Sequence, residues 1–440
     1  MDTIFAPGTP VGGAIAIIRM SGPLSRGTLE GIFSGKIEHR YVAQGTLHEG
    51  ETALDSAMAV YFAAPASYTG EDMAELYVHG GYAVVQSALA LLANKGLRPA
   101  QPGEFTRRAF LNGKLDLAQA EAVQDLIFAT ARRGAASAME QLSGKLSARV
   151  HAVESRLLDA LSGVDAAIDY PEELEEDVFF ALPGDLAAAL QELRALAQEG
   201  LAARVLREGA RVAIWGLPNA GKSSLLNALC GEERAIVTPK AGTTRDVIEA
   251  QCAIEGIAVR LLDTAGIRAA EDMAERIGVT RAWEAGRTAD LILVALDAAK
   301  PPTPEDEALL QAESDGVPRI AVICKVDLQP GEAAFALAQR KGVQALGVSA
   351  LFQKGMEELR HAIAARLAPA AGESALVTNA RHVEALSQAA ACVEGALAAR
   401  DADCIATDLR AALLHLGEIT GSSVDADVIE RIFSRFCVGK

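Results

Sequence analysis

The stretch Val212-Ala-Ile-Trp215, followed by Gly216-Leu-Pro-Asn-Ala-Gly-Lys222-Ser223 and Ser224-Leu-Leu-Asn-Ala-Leu-Cys230, decides the fold of this chain. A short apolar run, a GxxxxGKS loop and a helix-like run predict a strand, a phosphate-binding loop and a helix. Glycines in such a loop let backbone N–H groups surround phosphates, Lys222 neutralises their charge, and the Ser223 hydroxyl is placed to bind Mg2+. We therefore expect nucleotide contacts from Asn219, Ala220, Gly221, Lys222, Ser223 and Ser224.

Two further motifs follow at positions suited to the same nucleotide. Asp263-Thr264-Ala265-Gly266 comes directly after the apolar run 259–262, where a carboxylate can hold Mg2+ through water and the Gly266 N–H can sense the terminal phosphate. Thr243 and Thr244 lie between the two motifs, and we assign the second hydroxyl on Mg2+ to Thr244.

The base is expected to contact Cys324-Lys325-Val-Asp327 and Ser349-Ala350, which each follow an apolar strand. Asp327 can accept two hydrogen bonds from guanine and none of that kind from adenine, so GTP is favoured over ATP. Cys324 stands where NKxD-type guanine loops have asparagine. Losing that amide should weaken nucleotide binding or loosen the loop, while Asp327 keeps the choice of base.

The pattern of elements predicts a multidomain α/β plus α protein. Residues 1–115 read as an α/β or α+β module, with a strand expected over 11–20 and a helix near 82–94. Residues 116–203 and 369–440 are rich in helical spacing, with breaks expected near 170–171 and 182–184. Residues 204–368 alternate strands and helices, which is typical of a doubly wound α/β domain. The simplest arrangement packs the two helical flanks together, so that the α/β domain is inserted into one helical domain.

Charge and cysteine usage limit the function classes. The formal charge is −17, so any RNA contact must be local or shared with a partner. The six cysteines form no CxxC pair, which disfavours a disulfide framework or a zinc knuckle and fits a reducing cytoplasm. Without a signal-like amino terminus or a membrane-length apolar run, a cytoplasmic protein that makes no membrane contact is expected.

Four motifs together resemble the MnmE or TrmE family of tRNA-modification GTPases: GxPNxGKS, GTTRD, DTAGIR and a terminal FCxGK. Ile267 after the DTAG motif cannot orient water, so hydrolysis needs another group. The resemblance implies a homodimer whose Ras-like G domains use a potassium ion in place of an arginine finger. The ligands of the potassium ion would be Asn219 and, in a second loop, Thr238, Lys240 and Thr243. Thr238 and Thr243 would also contact GTP. The resemblance further implies that Glu275 orients the attacking water.

The resemblance also covers the amino-terminal module, through the segments 18–23, 67–75 and 102–117. It implies a tetrahydrofolate-binding and dimerisation domain in which Arg19, Glu75 and Lys114 contact a formyl- or methylene-tetrahydrofolate. Cys437, near a carboxyl terminus expected to be flexible, would serve the modification centre, and Lys440 would also touch folate. A flavin-containing partner of the MnmG type, in a heterotetramer, and tRNA complete the system that the resemblance implies.

Two other functions remain compatible with these residues. The main alternative is a GTP-switched RNA-binding or ribosome-assembly factor whose amino-terminal module serves only dimerisation. A helical adaptor with a degenerate G domain draws support from Cys324, but the intact Lys222, Ser223, Asp263 and Asp327 argue against it.

Overall fold

The computed structural model describes residues 2–231, 249–263, 289–311, 316–367 and 375–439, and for residues 171–181, 202, 249 and 263 it describes the backbone alone. The chain divides into two compact units. Unit 1 comprises Met1–Gln124, Leu142–Glu154 and Leu413–Lys440, and unit 2 comprises Asp125–Gln141 and Ser155–Ala412.

Unit 1 is built on a six-stranded sheet. Its strands are β1 Ile4–Pro7, β2 Ile15–Ser21, β3 Ala43–Glu49, β4 Thr52–Phe62, β5 Met73–His79 and β6 Arg98–Pro99. The order across the sheet is β3-β4-β5-β2-β1-β6, and every pair is antiparallel except β1 with β6. The strand expected from residue 11 begins only at Ile15, because Gly12 takes a φ of +103° and its N–H bonds the Gly80 carbonyl in a turn.

The two faces of this sheet have different coverings. Helices α1 Ser25–Ile32 and α2 Tyr82–Asn94 pack on the face that carries Ile18 and Leu76. Because side chains alternate along a strand, the opposite face carries Met73 and, two residues further along β5, Glu75. Phe105 of helix α3 Glu104–Leu111 covers one end of that second face.

Unit 2 contains a second six-stranded sheet. Its strands are β7 Ala210–Trp215, β8 Glu249–Ile254, β9 Ile257–Asp263, β10 Leu291–Asp297, β11 Arg319–Cys324 and β12 Gln344–Val348, in the order β12-β11-β10-β7-β9-β8. All neighbours are parallel except β8 with β9. The near-continuous apolar strands expected from the sequence are confirmed, since such strands are buried on both faces.

Helices cover both faces of the parallel sheet. Helices α8 Lys222–Cys230 and α11 Met356–Leu367 lie on one face, and α9 Pro304–Gln311 and α10 Glu332–Arg340 on the other. From β7 the chain proceeds first to β8 and β9 on one side and then to β10 on the other. In open α/β sheets, ligands bind at the carboxyl end of the strand where the order reverses, which here is the end of β7.

The remaining helices flank this sheet in the sequence. They are α4 Leu117–Phe128, α5 Arg132–Leu142, α6 Lys145–Asp169, α7 Pro171–Glu208, α12 Ala380–Ala398, α13 Ala402–Thr420 and α14 Ala426–Phe433. Within unit 2, α12 packs along α7, and Gln141 Nε2 donates to Thr378 Oγ1 at 2.9 Å. Segments that precede and follow the sheet in sequence therefore contact each other, as the sequence predicted.

One predicted break is wrong. Helix α7 continues through Pro183, although the sequence suggested that it would end near 182–184. Proline removes one intrahelical hydrogen bond without forcing a stop, and buried Leu186 and Leu193 lie beyond it on the same helix. Among the helices in the ranges given above, none is long and apolar enough to cross a bilayer.

A buried ion-pair network fixes the start of α3 in unit 1. Arg108, 5% exposed, donates to Glu71 at 3.0 Å, Glu104 at 3.0 Å and Asp2 at 2.7 Å. Arg98 bonds both Glu104 and Asp2. Its hydrogen bond lowers the pKa of Asp2 from 3.8 to about 2, with help from Arg108 and against the effect of burial. Burial also acts to raise the pKa of Glu104, but the hydrogen bonds from Arg98 and the Gln101 N–H lower it.

Replacing Arg108 by methionine is expected to destabilise unit 1 by about 3 kcal/mol, since it leaves buried carboxylates without their partner. The loss would be read in the full chain by hydrogen exchange of residues 2–124 across a urea series. Arg26→Met, which removes an exposed pair with Glu30, is the matched control and should cost about 0.5 kcal/mol or less.

The difference between the parent and Arg108→Met should depend on pH. Because the folded-state pKa values of Asp2 and Glu104 are depressed, the network stabilises above the unfolded values, and this contribution is lost as the pH falls toward 2. An equal cost for the Arg108 and Arg26 variants at pH 7 would contradict the assignment.

Candidate functional site

The phosphate loop, residues 216–223, joins the end of β7 to the start of α8. Gly216 has a φ of +151°, and a Cβ there would lie 2.5 Å from the Ala295 carbonyl oxygen of β10. Gly221 has a φ of +103°, and its Cβ would lie 3.1 Å from the Cβ of Cys324. Asn219 also has a positive φ, +63°, which asparagine tolerates better than most residues. The loop thus passes close to two neighbouring strands, which only glycine allows at 216 and 221.

Lys222 lies inside this loop. Its ammonium donates to the Gly216 carbonyl at 2.7 Å and to the Leu217 carbonyl at 2.8 Å. Lys222 is the first residue of α8, so its ammonium lies at the helix N-terminus. Backbone N–H groups at a helix N-terminus favour a bound anion, and the lysine charge adds to this effect. Lys222, Ser223 and Ser224 therefore occupy the positions that the sequence predicted for them at the end of β7.

Lys325 ties the guanine loop to the phosphate loop. Its ammonium donates to the Asn219 carbonyl oxygen at 2.7 Å and to the Asp297 carboxylate at 2.7 Å. Burial acts to raise the pKa of Asp297, but the hydrogen bonds from Lys325 and the Ala299 N–H lower it. Sequence reasoning missed Asp297, although a carboxylate at the end of the apolar run 291–296 was a usable signal.

Cys324 lies beneath the phosphate loop. Its side chain is buried against Gly221, the thiol is 3.7 Å from the Val322 carbonyl, and burial raises its pKa to about 12. A neutral thiol offers a weak donor where an amide would offer two donors and an acceptor. The contacts between the two loops that the structure describes run through Lys325 instead.

The two loops predicted to contact guanine lie side by side. The Val326 N–H donates to the Val348 carbonyl at 3.3 Å, and the Ser349 N–H donates to the Lys354 carbonyl at 2.9 Å, which closes the loop after Ala350. Asp327 is exposed at the end of the first loop. Leu328, Leu351 and Phe352, next to these polar residues, are at least 65% exposed, and no sequence pattern indicated this apolar rim.

Restoring the amide with Cys324→Asn is expected to tighten GTP and GDP binding about tenfold, because one added hydrogen bond between neutral groups is worth about 1 kcal/mol and an ordered loop adds to it. The Kd values would be measured by titration of a fluorescent guanine nucleotide. Cys324→Ala is the control, since it removes the thiol without adding an amide. Equal affinities in all three proteins would show that position 324 does not limit binding.

Several predicted site residues lie outside the described residues. They are Thr238, Lys240, Thr243, Thr244, Thr264, Ala265, Gly266, Glu275 and Lys440. Asp263 is described through its backbone alone, at the end of β9. Their roles stay predictions.

A second site lies in unit 1, on the open part of the sheet face that Phe105 partly covers. It is a cavity of about 350 Å3, and its wall includes Arg19, Glu75 and Lys114, the three residues that the sequence singled out. Arg19 Nε donates to Glu75 Oε1 at 2.8 Å, and the Tyr77 hydroxyl donates to Glu75 Oε2 at 2.8 Å. Burial and the bond to Glu75 raise the pKa of Tyr77 to about 12.

Two further residues of this cavity were missed. Arg40 and Tyr68 line it, and the Tyr68 hydroxyl bonds Thr106 Oγ1 at 2.9 Å. Tyr68 falls inside the quoted segment 67–75, so its position was visible, but its role was not. The cavity therefore combines three cations, one carboxylate and two aromatic rings, those of Phe62 and Tyr68.

Cys437 is exposed, and its backbone carbonyl accepts from the Gly103 N–H at 3.3 Å. The sequence had suggested a flexible terminus. The structure instead anchors this segment, since Phe433 and Phe436 on its amino-terminal side are buried, with ring centroids 5.2 Å apart.

Two family models match the chain. The model described as "MnmE helical domain" matches residues 117–437, and the one described as "GTP-binding protein TrmE N-terminus" matches residues 3–114.

Curated relatives match over the full length. A tRNA modification GTPase MnmE of Chloroflexus aurantiacus is 44% identical over 100% of both chains. That of Lactiplantibacillus plantarum is 41% identical over 100% of this chain and 98% of its own. That of Bacillus subtilis is 40% identical over 100% of both.

Among solved structures, Era of Aquifex aeolicus is 29% identical, covers 44% of this chain and 68% of its own, and has a TM-score of 0.30. The G domain of T. maritima FeoB is 26% identical, covers 36% of this chain and 98% of its own, and has a TM-score of 0.27. Scores this low carry no structural argument.

Proposed function

Because the chain belongs to the MnmE family of tRNA modification GTPases, we propose that it couples potassium-dependent GTP hydrolysis to one-carbon chemistry on tRNA. With a flavoprotein partner of the MnmG type, it would add a carboxymethylaminomethyl or aminomethyl group at carbon 5 of the wobble uridine. The fold class expected from the sequence is confirmed: an N-terminal α/β domain, a helical domain and a Ras-like G domain.

The observation that carries the one-carbon part is the cavity around Arg19 and Glu75. A reduced folate has a flat heteroaromatic head with several N–H donors and a tail that ends in carboxylates. Glu75 suits the donors, the cations Arg19, Arg40 and Lys114 suit the carboxylates, and the Tyr68 ring offers a flat surface. The donor set fits the group, and Lys440 is proposed to join it. When bound, the formyl- or methylene-tetrahydrofolate supplies the one-carbon unit.

The nucleotide part rests on the phosphate loop. Backbone N–H groups of 219–224 and the Lys222 ammonium would hold the phosphates of GTP, and Ser223 and Thr244 would hold Mg2+. The Asn219 side chain is exposed on a backbone that Lys325 fixes, so its amide oxygen is available to a cation. We propose that Asn219, Thr238, Lys240 and Thr243 hold K+, and that Glu275 orients the attacking water.

The proposed domains follow the sequence boundaries. Residues 1–115 form the folate-binding and dimerisation domain, 116–203 and 369–440 the helical domain, and 204–368 the G domain. The protein would act as a homodimer in a heterotetramer with its partner. With a formal charge of −17, it would contact tRNA together with that partner, since phosphate contacts need cations.

Calorimetric titration with 5-formyltetrahydrofolate tests the proposal. The parent protein is expected to bind, and Glu75→Gln should weaken binding about tenfold to thirtyfold, because a hydrogen bond to a charged group is worth about 1.5–2 kcal/mol. Glu38→Gln, on an exposed residue paired with Lys36, is the matched control.

Failure of the parent protein to bind folate would contradict the one-carbon role. It would favour the alternative of a GTP-switched RNA-binding factor, which needs the phosphate loop but not this cavity.

A further inference from the structure

The carboxyl-terminal segment of unit 1 is held between two buried points. Phe433 and Phe436 are 2% and 5% exposed and pack together, and Phe433 also contacts Phe110 with ring centroids 6.2 Å apart. After them, Cys437 and Val438 are exposed, and Gly439 is buried again. The segment 436–439, defined here as the terminal arch, is therefore anchored on both sides of the Cys437 thiol.

The first anchor includes the backbone of Gly103, the residue that precedes α3. The Gly103 N–H donates to the Cys437 carbonyl at 3.3 Å. Gly103 has a φ of +67°, and a Cβ there would lie 2.6 Å from the Phe433 carbonyl oxygen. Close backbone packing at Gly103 thus fixes where the arch begins.

The second anchor is Gly439. It has a φ of +92°, and a Cβ built on it would lie 2.1 Å from the Pro7 carbonyl oxygen and 3.3 Å from the Gly8 Cα. No side chain fits in that space, and L-residues rarely adopt that φ. The arch therefore ends in direct backbone contact with Pro7, the last residue of β1, and with Gly8, which follows it.

Gly8 continues this contact to the cavity wall. A Cβ on Gly8 would lie 3.3 Å from Arg19 Nε and 3.4 Å from Arg19 Cδ. The Arg19 guanidinium is the group that pairs with Glu75 at 2.8 Å. Gly439 thus packs against Gly8, and Gly8 packs against Arg19, with no other side chain between them.

We infer that Gly8 and Gly439 are positioning residues, which form a clasp that joins the terminal arch, with its exposed Cys437 thiol, to Arg19 of the Arg19–Glu75 pair. The inference rests on the proposed folate function of that pair. As a consequence, the Cys437 thiol loses little further conformational entropy when it approaches a bound one-carbon group, because folding has already restricted the terminal arch. A bulkier residue at 439 would detach the arch, and one at 8 would displace Arg19.

Cys437 itself permits a stereochemical test in the full chain. Residues 1–436, prepared as a thioester, are ligated at Cys437 to tetrapeptides that carry glycine, L-alanine or D-alanine at position 439. L-alanine directs its methyl group at the Pro7 oxygen and is strained at a φ of +92°. D-alanine has the same composition, accepts positive φ, and places its methyl group at the other hydrogen position. Only the L-form is expected to detach the arch.

Hydrogen exchange provides the readout. In the L-alanine protein, exchange of the Gly103 amide and of the terminal peptide should accelerate at least about tenfold relative to the glycine and D-alanine proteins, because local opening is favoured. Helix α14 should exchange alike in all three proteins. Parent-like exchange in the L-alanine protein, or equal acceleration by both alanines, would overturn the clasp.

The Gly8 part is tested by folate affinity. Gly8→Ala should weaken 5-formyltetrahydrofolate binding about threefold, because the added methyl group, 3.3 Å from Arg19 Nε, shifts the guanidinium within its charge-assisted contacts. Gly27→Ala, at a glycine of α1 with no atom near its added methyl group, is the control. Unchanged affinity in Gly8→Ala overturns this part. If the parent protein itself binds no folate, the proposed function fails, and the exchange measurement still decides the clasp.

Discussion

Replacing Asp327 by asparagine is expected to lower kcat/KM for GTP about a thousandfold and to raise it for xanthosine triphosphate. Guanine presents its ring N–H and its exocyclic amino group, and a carboxylate accepts from both. The asparagine amide turns one acceptor into a donor, which opposes the amino group of guanine but matches the carbonyl that xanthine has in its place. Two hydrogen bonds to a charged group are worth about 1.5–3 kcal/mol each, which accounts for the size of the loss.

The effect of Asp327→Asn should be large because Cys324 provides no amide for the base. Steady-state rates with GTP, xanthosine triphosphate and ATP check the prediction. Asp306→Asn, on a carboxylate of α9 whose side chain bonds Thr303, is a control for general loss of stability. A variant that keeps its preference for GTP would show that Asp327 does not bind the base.

Potassium chloride is expected to accelerate GTP hydrolysis about a hundredfold over sodium chloride at equal ionic strength, and Asn219→Ala should abolish the difference. A cation at the phosphates stabilises the charge that develops in the transition state, and losing one such group costs about 100-fold to 1,000-fold. GTP binding should survive, because the phosphates are held by backbone N–H groups and by Lys222.

Asn219→Gly separates the side chain from the backbone in this experiment. Position 219 has a φ of +63°, so alanine adds strain that glycine avoids. Both variants should lose the response to potassium, and the glycine variant should keep the stability of the parent. Equal rates in both salts for the parent protein would remove the ion from the mechanism and leave an ordinary switch GTPase.

Local patterns predicted much of the G domain. The apolar runs at 212–215, 291–294 and 320–323 are strands, and in the amino-terminal module the helix expected near 82–94 has those bounds. The strands follow from spacing alone, because buried parallel strands are apolar throughout. The glycines at 216 and 221 follow from the phosphate-loop motif. Pro183 was misjudged because a proline argues against helix locally, whereas burial of the residues beyond it favours helix over a longer range.

The cavity of unit 1 could not be derived from spacing. Arg19 and Glu75 are 56 positions apart and meet because β2 and β5 pair in one particular register. Register depends on the whole sheet, and a shift of one strand by one residue would turn its side chain to the opposite face and separate the pair. Only the resemblance to a family indicated these residues, and it did not indicate Arg40 or Tyr68.

The lysine that joins the two nucleotide loops has one more consequence. Lys325 bonds the main-chain carbonyl of Asn219 and leaves its side chain untouched. The backbone position of residue 219 therefore does not depend on its side chain. The side chain can be replaced while the Lys325 ammonium still holds the main chain in place. Such a position is modular, and relatives could acquire or lose a dependence on a monovalent ion through a single codon without rebuilding the loop.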